Sequence, residues 1–148
     1  MTQEDKNLLL KDLCARLPYG VKYCRESWNY EWDQEISVVE VLEDIDKDGY
    51  INYHKVYTVW DIKPYLRPMS SMTEEEKEEL QSLCDGIEID DDGNHFHYTT
   101  IYSDVESFRH VDFDAIDWLN AHHFDYRGLI EKGLAIEVTL ENNPYKND

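Results

Sequence analysis

Between Asp44 and Asn52 the chain reads Asp-Ile-Asp-Lys-Asp-Gly-Tyr-Ile-Asn, which matches the first nine positions of a calcium-binding EF-hand loop. Asp44, Asp46 and Asp48 stand where that loop places oxygen ligands, and Gly49 stands at its sharp turn. The twelfth position, which should supply two oxygens from a glutamate, holds Lys55, and the flanks are strand-forming rather than helical. Two ligands are lost and a cation is gained. The preferred reading is therefore an Asp-Gly hairpin turn whose aspartates meet solvent or their own backbone, with calcium as the alternative. His95 and His97 share one face of an expected strand at a spacing able to hold zinc, and Asp90 or Asp92 add oxygens across the same hairpin. Two histidines do not complete a tetrahedral site. No cofactor is expected, calcium and zinc being the alternatives.

Signatures of catalysis are equally sparse. Six glycines form no phosphate-cradling cluster, and no Ser, Cys and His are joined by a nucleophile motif. Asp112, Asp114 and Asp117 offer carboxylates to a metal-dependent hydrolase, but acidic residues at a helix start already cap it and complement its dipole. Adjacent His122 and His123 diverge by about 100° on a helix, so they suit its C-terminal end better than a shared ion. Cys14, Cys24 and Cys84 show no Cys-x-x-Cys spacing and read as reduced thiols, Cys14 and Cys84 on apolar helix sides. A non-enzymatic role is favoured.

Charge is the stronger signal. The 148 residues carry 33 acidic and 14 basic side chains, a formal charge of -19. The excess is local: Thr73 to Asp117 holds 15 acids against Lys77 and Arg109 alone, so this segment supplies -13. Candidate partner-binding residues are Glu74, Glu75, Glu78, Asp90, Asp91, Asp92, Asp104, Glu106, Asp112 and Asp114. Such a balance excludes direct nucleic-acid binding and points to a protein with a basic surface. No run reaches four consecutive apolar residues, which leaves no membrane span or secretory core and implies a cytoplasmic protein. With 41% hydrophobic and 13% aromatic residues the chain can nevertheless bury a core.

The elements that must position these groups read as α+β. Thr2 with Asp5 is a capping box for a helix over 3–17 with an apolar stripe of Leu10, Leu13, Cys14 and Leu17, stopped by Pro18 and Gly20. Val21–Cys24, Ile36–Leu42 and Tyr50–Trp60 read as strands, and the alternation Trp28, Tyr30, Trp32 as a strand or loop edge. Thr73 and Glu76 cap a second helix that buries Leu80, Leu83 and Cys84. A hairpin over 87–101, a third helix from Asp112 or Asp114, a last strand Leu134–Val138 and a frayed tail follow. The expected architecture is a small, strongly bent antiparallel sheet of SH3-like barrel type with about three helices. It forms one domain over 1–148, with 1–68 and 69–148 as sub-modules.

Two blocks carry a family likeness: Lys63 to Glu76 (KPYLRPMSSMTEEE) and Ile116 to Ile136 (IDWLNAHHFDYRGLIEKGLAI). They resemble recurrent blocks in small uncharacterised proteins of gut bacteria and their prophages. The resemblance implies no activity or site residue; it implies a phage or mobile-element accessory protein. Within the second block Trp118, Phe124, Tyr126 and Leu129 read as core anchors, and Arg127 as a partner for the acidic half. Three roles follow. An acidic module could occupy a basic surface, as DNA-mimic inhibitors do. The surplus of 11 tyrosines and four tryptophans suits a structural homo-oligomer. A metal-dependent hydrolase is the third.

Overall fold

The computed structural model of the protein describes residues 1–83, 87–89, 96–98 and 105–146, with the backbone alone for 87–89, 96–98 and 105–112. Among the described residues there are three α-helices, α1 (Gln3–Arg16), α2 (Glu74–Leu83) and α3 (Val105–Ala121). The strands are β1 (Lys22–Asn29), β2 (Gln34–Val41), β3 (Lys63–Pro68), β4 (Ile87–Ile89), β5 (Phe96–Tyr98), β6 (Phe124–Asp125) and β7 (Ile136–Glu137). The fold is α+β. Strand order is β2-β1-β3-β6 with β7 also on β3, and β4 pairs β5 separately. The chain forms two compact units, Met1–Leu66 with Arg127–Asp148, and Arg67–Tyr126.

In the first unit the Thr2 hydroxyl accepts from the Asp5 N–H at 3.0 Å and the Asp5 carboxylate accepts from the Thr2 N–H at 3.3 Å, so α1 begins where its capping box predicts. Its inward face differs from the expected stripe. Leu9, Asp12, Leu13 and Arg16 are buried while Cys14 is exposed, because a charged pair occupies two positions of that face. Pro18 opens a short 3-10 turn, and Gly20 leaves it in the left-handed region at φ 67°. β1 and β2 pair antiparallel from Lys22↔Val41 to Asn29↔Gln34. β3 joins β1 antiparallel at Tyr23↔Pro64 and takes β7 parallel at Tyr65↔Ile136. Leu9, Leu13, Tyr23, Leu42, Ile51, Leu129 and Leu134 belong to its core.

Several expectations need correction here. The sheet is mixed, not antiparallel throughout, and among the described residues it is open rather than closed into an SH3-like barrel, since β7 and β6 add only two-residue parallel pairings to β3. Tyr50–Trp60 is not a strand. Asn52 and Tyr53 are both left-handed (φ 47° and 62°), which breaks the extended run into the isolated bridges Ile45↔Ile51 and Tyr50↔Thr58 before a 3-10 turn at Val59–Asp61. The tail is tied down rather than frayed at Pro144 and Tyr145, residues 147–148 lying outside the described residues. The Tyr145 hydroxyl accepts from the Lys22 N–H at 2.9 Å and donates to the Tyr65 carbonyl at 2.8 Å, and Lys22 Nζ reaches the Pro144 carbonyl.

In the second unit Thr73 and Glu76 form the predicted capping box of α2, and Leu80 is buried while Leu83 is exposed. The arms of the predicted hairpin are paired, with Ile87↔Tyr98, Glu88↔His97 and Ile89↔Phe96 opposite one another, while residues 90–95 and 99–101 lie outside the described residues. α3 begins at Val105, upstream of the expected start at Asp112 or Asp114. Met69, Met72, Leu80, Ala115, Trp118, Leu119 and Phe124 form the core of this unit, and the Trp118 ring stacks on His122 at 4.0 Å. β6 pairs parallel with the end of β3 at Arg67↔Phe124. Among the described residues no helix is long and apolar enough to cross a membrane.

Candidate functional site

The acidic residues singled out from the sequence fall into three groups. Glu74, Glu75 and Glu78 lie on α2 and are exposed, as is Asp114 on α3. Glu106 and Asp112 are on α3 and His97 is on β5, where the backbone alone is described. Asp90, Asp91, Asp92, His95, Asp104 and Cys84 lie outside the described residues.

On α2 the sequence sorts its glutamates geometrically. At about 100° per residue, Glu74, Glu75, Glu78 and Glu79 occupy one arc of roughly 140°, opposite the buried Leu80. Glu76 points elsewhere. Its carboxylate takes two bonds from Arg67, at 2.7 and 2.8 Å, and one from the Thr73 N–H at 3.0 Å, while the Arg67 guanidinium lies 4.1 Å from the centre of the Phe124 ring. Burial pushes the Glu76 carboxyl up; the Arg67 and Thr73 bonds outweigh it and hold the group below the ordinary glutamate range. Lys77 spans to Glu74 at 3.3 Å, a pair whose carboxylate end is open to water. The first turn of α2 thus contains one structural glutamate and several solvated ones.

The calcium-like loop has its own structural use. Asp46 Oδ1 accepts from the N–H groups of Asp48 and Tyr50, both at 2.9 Å, and the Asp44 carbonyl accepts from the Asn52 N–H. Gly49 is left-handed at φ 88°, and a Cβ there would stand 3.0 Å from the Trp60 ring, so any other residue would strain the backbone and press on that ring. Asn52, ninth in the motif, receives the Glu43 and Asp44 N–H groups and donates to the Val41 carbonyl and to the Tyr23 hydroxyl. Among the described residues no three His, Cys, Asp or Glu side chains converge as a metal-holding group.

A polar cluster that the sequence did not announce surrounds Glu40. Tyr23 donates to it at 2.6 Å, Arg25 reaches it at 2.7 Å, and His54 lies 3.7 Å away. Arg25 also covers the Tyr57 ring at 4.7 Å. The Arg25 bond, with Tyr23 assisting, holds the Glu40 carboxyl below its ordinary range, while burial followed by the Glu40 bond pushes the Tyr23 phenol well above its own. At neutral pH Tyr23 is thus a fixed donor and Glu40 a fixed acceptor. Such a clamp holds β1, β2 and the 50–58 turns together. The sequence signal that could have revealed it is Tyr23, Arg25 and Glu40 on the same face of two adjacent strands.

Arg127 Nε lies 3.3 Å from Asp12, which also takes 2.7 and 3.1 Å bonds from Arg16. No known protein family, curated protein or solved structure matches the chain.

Proposed function

We propose that the protein is a non-enzymatic, cytoplasmic binding module that presents the acidic face of α2 to a basic surface on a partner protein. Its setting would be that of an accessory or inhibitor protein of a phage or mobile element, following the likeness of residues 63–76 and 116–136. The supporting observation is the shared arc of Glu74, Glu75, Glu78 and Glu79 opposite Leu80. Four carboxylates along a rise of about 7.5 Å give one charge per ~2 Å, near the ~1.7 Å of duplex DNA. A groove built for phosphates would accept that density.

The triple substitution Glu74→Gln, Glu75→Gln, Glu78→Gln leaves the Glu76 cap intact and tests the reading. Partners captured from host lysate by the full chain at physiological salt should bind the triple variant at least tenfold more weakly. A control pair, Glu131→Gln with Glu141→Gln, should bind as the unaltered protein does. Capture that survives the triple substitution, or that vanishes for the unaltered protein above about 0.1 M salt, refutes it.

A further inference from the structure

A second surface, in the first unit, has a different composition. β1 and β2 stay paired to Asn29↔Gln34 and are joined by the four-residue loop Tyr30-Glu31-Trp32-Asp33. Asn29 Oδ1 accepts from the N–H groups of Glu31 and Trp32 at 3.0 and 3.1 Å, and Asp33 turns the chain at φ 51°. The three large rings of this tip face water, with Trp28 46%, Tyr30 88% and Trp32 65% exposed. Trp28 stands directly opposite Glu35, and Glu26 precedes it on the same face of β1. From Glu26 to Asp46 there is no lysine or arginine, whereas Glu26, Glu31, Asp33 and Glu35 crowd the tip.

Rings ringed by carboxylates attract cations through the negative face of the π-system and the acids together. Elsewhere this chain fills such positions itself: Arg67 lies over Phe124, Arg25 over Tyr57 at 4.7 Å, Lys22 over Tyr145 at 5.8 Å and Lys6 over Trp60 at 5.9 Å. Among the described residues no cation covers Trp28, Tyr30 or Trp32. We propose that the β1–β2 tip docks an arginine-bearing segment of a partner protein, its guanidinium laid on Trp28 or Trp32 and hydrogen-bonded to Glu35 or Glu26. Nucleic acid, which stacks on rings only within a basic groove, is repelled by the four acids, and so is an anionic membrane.

The probe is a fluorescein-labelled peptide alternating Arg and Gly, with its citrulline counterpart, titrated onto the full chain at 0.15 M salt and read by anisotropy. Trp28→Leu and Trp32→Leu, at exposed positions, should keep the wild-type melting curve and weaken the arginine peptide by about 2–5-fold per ring. The citrulline peptide should bind weakly to every variant. Equal binding by wild type and both leucine variants overturns the proposal, as does an equal loss for the arginine and citrulline peptides. Leucine-sensitive binding to phosphatidylcholine vesicles without peptide binding would assign the tip to a membrane instead. Leucine-sensitive dimerisation in light scattering would assign it to a second copy. The glutamine triple on α2 separates this surface from the acidic helix: loss there alone overturns the tip, and loss at the tip alone leaves it standing without the helix.

Discussion

Asp12→Asn is the sharpest perturbation the fold offers. Asp12 and Arg16 have no exposed side-chain surface, and the carboxylate faces two guanidiniums, Arg16 through bonds of 2.7 and 3.1 Å and Arg127 at 3.3 Å. Asparagine preserves the shape and removes the charge that both arginines face. Removing one partner of a buried pair costs about 3–5 kcal/mol, against a total stability of about 5–15 kcal/mol. For a chain of this length that corresponds to a fall in melting midpoint of roughly 6–20 °C. Urea denaturation and calorimetry read it directly. Asp12→Leu with Arg16→Met should recover most of the loss, since an apolar pair of similar volume needs no counter-charge. A single variant within about 1 kcal/mol of wild type, or a double variant less stable than the single, refutes the buried-charge argument.

Two further outcomes are expected. Glu40 and Glu76 both titrate below their unfolded range, so their contribution is complete above the ordinary glutamate pKa of about 4.3 and is lost as pH falls through and below it. Combining Glu40→Gln with Glu76→Gln should lower stability at pH 7 and flatten its decline between about pH 5 and 3, and an acid-denaturation series with an unchanged slope contradicts the assignment. Tyr145→Phe removes the hydroxyl shared by Lys22 and Tyr65, at a cost of about 1–2 kcal/mol. Hydrogen exchange should show the Lys22 amide losing protection, and unaltered exchange there would mean that the tail is held by something else.

What could be read in advance was local. The Thr2/Asp5 and Thr73/Glu76 boxes depend on residues three apart, and the 87–98 hairpin on a short polar turn between strand-formers, so pattern sufficed. The partnerships that failed to show are separated along the chain. Nothing near Asp12 signals that Arg127 will meet it, and the inward face of α1 lies one position back from the apolar stripe Leu10, Leu13, Cys14 and Leu17, at Leu9, Asp12, Leu13 and Arg16. β3 gives no sign that β6 and β7 will pair with it in parallel. The tyrosine-rich stretch 50–60 looks extended until Asn52 and Tyr53 take left-handed geometry to place the Asn52 amide on Tyr23. In the acidic segment the count of charges singled out Glu74, Glu75 and Glu78, and the helix Glu74–Leu83 sets them on one arc. That count could not show that Glu76 belongs to Arg67.

The division of the chain bears on the order in which it matures during synthesis. Core residues of the second unit run from Met69 to Phe124, all within one uninterrupted stretch. The first unit needs Leu129, Leu134 and Ala135 beside Leu9, Leu13 and Tyr23. Residues 1–66, which emerge from the ribosome before Leu129, Leu134 and Ala135, must therefore wait, their apolar side chains incompletely covered, until those three have been translated. Residues 67–126 have the core residues from Met69 to Phe124 together sooner. Chaperone dependence and nascent-chain degradation should accordingly track residues 1–66, although they are translated before the second unit.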